Sequence, residues 1–174
     1  MPARSSHVVC AIACCAIGSC PALADGPSGL VRIAHGTSKD GQRWVQKARA
    51  DHGNLTVELS LFVNGQDVGG FQEGPPIARW PMIVSRGSGF GRSQDEYEID
   101  GSVLPNVVRL RVTTVRRTLV IRPHRPARRA VAKWPQLARY RFFVRFFAGD
   151  DRPIKVSALD RLGHVLVSAP GVSE

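Results

Sequence analysis

Residues 138–147 read ARYRFFVRFF. Tyr140, Phe142, Val144 and Phe146 alternate with Arg139, Arg141, Phe143, Arg145 and Phe147, the two-residue period of a β-strand. The first set is wholly apolar and is expected to face a core. The second set carries three arginines and is expected to face solvent. The same pattern recurs upstream, where Val108, Leu110 and Val112 alternate with Arg109, Arg111 and Thr113. Leu55, Val57, Leu59 and Leu61 alternate with Thr56, Glu58, Ser60 and Phe62 and run into Asn64-Gly65, a tight-turn dipeptide.

Further strands are expected at 118–122, at Ile154, Val156 and Ala158, and at 164–168 after the turn Asp160-Arg161-Leu162-Gly163. Weaker strand signals lie at 30–35, 43–49, 82–86 and 97–100. The one helix candidate, 128–138, is interrupted by Pro135. About eight or nine short strands with Gly and Pro between them predict an all-β, antiparallel sandwich. The alternative is a mixed α+β domain with its helix at 128–138. Three stretches read as loops: the Gly/Pro-rich 66–78, the Gly/Ser-rich 86–94 (RGSGFGRSQ) and the basic 123–135 (PHRPARRAVAKWP).

The N-terminus predicts export. Arg4 is the one charge before an uncharged run at 8–18, and Ala22-Leu23-Ala24 supplies a small-x-small cleavage pattern. Residues 1–24 are therefore expected to be a signal peptide and 25–174 a single secreted β-sandwich domain. All four cysteines, Cys10, Cys14, Cys15 and Cys20, fall in the leader, so thiolate zinc chemistry would leave with it. In the competing reading, Ile17-Gly18-Ser19-Cys20 is a lipoprotein box and the chain is anchored through Cys20. The apolar run is shorter than the roughly 20 residues that a bilayer requires, and no transmembrane segment is expected.

Charge is segregated along the chain. Residues 25–102 hold eight Lys/Arg and ten Asp/Glu, whereas 103–174 hold fifteen and four. Between Gly101 and Gly149 there are twelve basic residues and no acid. If the strands carrying them share a sheet, Arg109, Arg111, Arg139, Arg141 and Arg145 form one cationic wall, extended by Arg125, Arg128 and Arg129. Such a wall would bind an anionic polymer (a wall polymer, an acidic glycan or lipid headgroups) with strong salt dependence. The alternative is a solvated face whose arginine stems cover apolar sheet. Phe143 and Phe147, on the same face, could instead dock a protein partner.

Enzyme signals are sparse. His35, His52, His124 and His164 have no metal-ligand spacing, and Ser38 and Asp40 near His35 do not by sequence alone make a triad. A hydrolase site would have to assemble in the Gly-rich loops. Gly87-Ser88-Gly89-Phe90-Gly91 lacks the Gly-Lys-Ser/Thr ending of a phosphate loop. Asp95, Glu96, Glu98 and Asp100 could ligate calcium, but the alternation of the last three predicts a solvated strand face or partners for the basic wall. Asn54-Leu55-Thr56 is a glycosylation sequon. Of Trp44, Trp80 and Trp134, at least one is expected to anchor the core. No cofactor is implied.

Residues 141–166, RFFVRFFAGDDRPIKVSALDRLGHVL, combine an aromatic strand, a short turn, a valine-containing strand and an Asp-x-x-Gly hairpin. This segment resembles the closing strands of exported bacterial immunoglobulin-like sandwich proteins of unassigned function. The resemblance implies an immunoglobulin-like β-sandwich and export, and carries no catalytic or binding residue with it. The function expected from the residues is thus that of a secreted, non-enzymatic binding module.

Overall fold

The computed structural model describes residues 29–50, 57–73, 75–90 and 96–171. The expected leader with its cysteines, His52, Asn54 and Asp95 lie outside them. The described chain is an all-β antiparallel sandwich. Its strands are β1 (Val31–Thr37), β2 (Arg43–Ala50), β3 (Val57–Val63), β4 (Gln66–Glu73), β5 (Met82–Phe90) and β6 (Glu96–Val103). They continue with β7 (Arg109–Thr114), β8 (Thr118–Ile121), β9 (Arg141–Phe147), β10 (Pro153–Leu159) and β11 (Val165–Pro170). One short helix, α1 (Arg128–Lys133), and a 3₁₀ turn, Pro135–Arg139, separate β8 from β9. Among the described residues no helix is long and apolar enough to cross a membrane.

Three sheets form, ordered β1-β2-β3-β4, β5-β6-β9 and β11-β10-β7-β8. Asn64, at φ 50°, and Gly65, at φ 89°, close the β3–β4 hairpin as the dipeptide predicts. Strand β4 occupies the front of the stretch expected to be a loop. Its Gly69 and Gly70 pair opposite Leu61 and Ser60, so the glycines lie within a ladder rather than in a turn. The basic loop follows its sequence more closely, with α1 ending before Pro135 and the 3₁₀ turn starting on it.

The β5-β6-β9 sheet has an apolar core on each face. On one side Phe142 packs with Val31, Ile33, Ala48 and Leu59 from β1–β3, and with Ala130, Leu137 and Tyr140. On the other, Phe143 and Phe147 pack with Ile99 and Val103 of β6, Leu110 and Val112 of β7, and Val156 and Ala158 of β10. Each buried valine, leucine, isoleucine or phenylalanine among them contributes about 2 kcal/mol by leaving water. Adjacent residues of β9 therefore enter different cores. Gly101 of β6 lies directly beneath this crowding. A Cβ there would clash with the Ile83 carbonyl oxygen and come within 2.8 Å of the Phe143 ring.

Candidate functional site

The expected single arginine wall does not form, because β7 and β9 belong to different sheets. Each strand has an apolar face that must leave water. The apolar face of β9 goes into the first core through Phe142, while Phe143 and Phe147, on its arginine-bearing face, pack against Leu110 and Val112 of β7 across the second core. Phe143 and Phe147, expected outside, are 1% and 4% exposed, so they present no docking surface. The arginines separate into groups. Arg109 and Arg111 point outward from β7. Arg125 and Arg141 share a cleft. Arg128 and Arg129 are exposed on α1, Arg139 is exposed at the end of the 3₁₀ turn, and Arg145 is exposed on β9.

The outward face of the β11-β10-β7-β8 sheet is the more coherent cationic surface. Leu110 and Val112 face the core, which directs Arg109, Arg111 and Thr113 away from it. Register then aligns Val120, Arg111, Ser157 and Ser168 in one row across the sheet, and Thr118, Thr113, Lys155 and Pro170 in the next. Ser157 and Ser168 share a 2.9 Å hydrogen bond within their row. Lys155 thus joins Arg109 and Arg111, a contribution that the sequence reading missed. The four strands contain no carboxylate.

Acids at the ends of this sheet are already engaged. Asp150 pairs with Arg116 at 2.7 Å, and Asp151 pairs with Arg117 at 2.7 Å and bonds Thr114. Burial acts to raise the Asp151 carboxyl. The Thr114 and Arg117 hydrogen bonds, with the guanidinium charges of Arg117 and Arg116, outweigh it and hold the group below its ordinary value. Asp160 accepts from the backbone N–H groups of Leu162 and His164 at 2.8 and 2.9 Å, and lies 3.3 Å from His164 Nδ1. Arg109 donates to the Arg161 carbonyl at 3.2 Å, and neither Arg111 nor Lys155 is ion-paired with a described residue.

The acidic strand is a second departure from expectation. β6 is the middle strand of its sheet, so Glu98 and Asp100 are buried at 3% and 4% exposure instead of solvated. Gln46 of β2 donates through Nε2 to Asp100 Oδ2 and to the Phe143 carbonyl, each at 3.1 Å. Desolvation pushes Asp100 up to about 6 against the opposing hydrogen bonds of Gln46, Glu98 and Ser85. Desolvation, reinforced by the neighbouring Asp100 charge, raises Glu98 well above its ordinary value. Glu98 is therefore the neutral partner and donates its proton to Asp100. Glu98 Oε1 and Gln46 Oε1 are buried without a hydrogen-bond partner. The pair is sealed between sheets, and its chemistry is that of a retained proton rather than of an exposed acid and base.

Among the described residues no three His, Cys, Asp or Glu side chains gather to hold a metal. Ser38 bonds Asp40, and Gln42 donates to Asp40 at 2.6 Å, so these residues build the β1–β2 turn. His35 is exposed, whereas burial lowers the His124 imidazole, whose backbone bridges to Phe142. Trp134 packs on the first core and donates to the Gly29 carbonyl at 3.0 Å, as expected of an anchoring indole. Trp80 is 56% exposed. Compared with known proteins, the chain matches no family model, and no curated protein or solved structure is significantly similar to it.

Proposed function

We propose that this chain is an exported, non-enzymatic binding module that holds an anionic polymer on the outward face of the β11-β10-β7-β8 sheet. One observation carries the reading. Arg109, Arg111 and Lys155 share that face, and the four strands beneath them contain no carboxylate. Unbalanced cations on an ordered sheet attract polyanions at long range, within a screening length of about 10 Å at ordinary salt. The leader at 1–24, or an anchor at Cys20, would deliver this face to wall polymers, acidic glycans or lipid headgroups. Thr113 and Thr118, in the row of Lys155, add hydroxyl donors for the oxygens of such polymers.

Chromatography of residues 25–174 on immobilised heparin tests the proposal. Retention should be firm in low salt and should disappear in the R109E/R111E/K155E variant, while the circular dichroism spectrum stays that of the wild type. Wild-type protein that flows through in low salt contradicts the proposal.

A further inference from the structure

We propose a second binding site, independent of the sheet face, in the cleft between Arg125 and Arg141. It would take a small ligand bearing one carboxylate or phosphate ester on a ring or short apolar body. The backbone places the two arginines together. His124 and Phe142 form an antiparallel bridge, with N–H to carbonyl bonds of 2.8 and 2.9 Å, so Arg125 falls opposite Arg141 in the same register. Pro126 restricts Arg125 to extended backbone, which fixes the pairing further.

Like charges placed directly opposite one another destabilise a strand pair. Neither guanidinium is ion-paired with a described residue, so nothing described offsets that repulsion. An oxyanion between them would relieve it and can accept bidentate hydrogen bonds from guanidinium groups. The cleft has a volume of about 410 Å³, with Pro105, Pro126, Val131 and Tyr140 beside the two arginines. A water occupies roughly 30 Å³ of liquid, so a bare oxyanion would leave most of the space empty. The prolines, Val131 and the Tyr140 ring fit an apolar or flat body. The Tyr140 hydroxyl is raised by burial against the lowering effect of Arg139, so it stays protonated as a donor.

Titration calorimetry with phenyl phosphate, benzoate and inorganic phosphate tests the assignment. At least one ring-bearing probe should saturate a single site and bind about tenfold or more tightly than inorganic phosphate. The two ring probes distinguish a phosphate ester from a carboxylate. R125Q and R141Q should each weaken that binding about tenfold or more, while R79Q leaves it unchanged. Without ligand, R125Q should melt no lower than wild type, because it removes a repulsion. Three results overturn the proposal: no saturable binding of either ring probe, equal affinity for inorganic phosphate (an adventitious ion only), or binding unchanged by both substitutions.

Discussion

Replacing Asp100 with asparagine isolates the energetic effect of the buried carboxyl pair. Asparagine keeps the shape, and its carbonyl can still accept from Gln46 and Glu98, but it never carries a charge. In the native chain burial lifts Asp100 from 3.8 to about 6. A raised carboxyl stabilises the fold fully below its unfolded value, and that stabilisation is lost as pH rises through the folded value. Two pH units at about 1.4 kcal/mol each make the loss on the order of 3 kcal/mol between pH 4 and pH 7. Asparagine removes this loss. Glu98 remains buried in both proteins, and in D100N it loses the raising effect of the Asp100 charge, which shifts the difference in the same direction. Urea unfolding at pH 4, 5, 6 and 7, followed by tryptophan fluorescence, should show the stability of D100N minus that of wild type rising by about 3 kcal/mol across the range. A difference that is flat to within about 1 kcal/mol, or that falls with pH, refutes the reasoning.

Asp151 should behave with the opposite sign. Its folded carboxyl is lowered, so its stabilisation is present above the unfolded value and is lost as pH falls through the folded one. D151A should destabilise the protein by about 2–3 kcal/mol at pH 7, with the deficit shrinking in acid, measured by the same melts. F143A should cost about 3–5 kcal/mol, because the ring fills the second core and is not a surface contact. G101A should cost about 3 kcal/mol from overpacking against Ile83 and Phe143, read as a lower urea midpoint.

Strand positions were legible in the sequence because a two-residue period and an Asn-Gly turn are local signals. The number of buried faces on each strand was not. Phe143 shares its face with Arg141 and Arg145, which reads as a wet surface. In the fold Arg141 opens into a cleft and Arg145 is exposed, so the centre of that face closes over the second core. Gly69 and Gly70 suggested a loop, and only pairing with Leu61 and Ser60 makes them strand. The carboxyls of Glu98 and Asp100 alternate as a solvated edge would. Their burial depends on a central strand position and on Gln46, 54 residues from Asp100 in sequence. The candidate site was half visible. Arg109 and Arg111 were evident from alternation, whereas Lys155 joins them through the β7–β10 register.

Salt dependence of polyanion binding tests the central claim most directly. The measurement is the association constant of wild type and of R109Q/R111Q/K155Q for a soluble sulfated polysaccharide across a range of salt concentrations. If the sheet face is the binding surface, log K falls linearly with log salt for the wild type. Each lost contact should flatten that slope by roughly 0.7–0.9, so the triple variant should be flatter by about 2–3. An unchanged slope in the variant would place the polymer elsewhere and contradict the account.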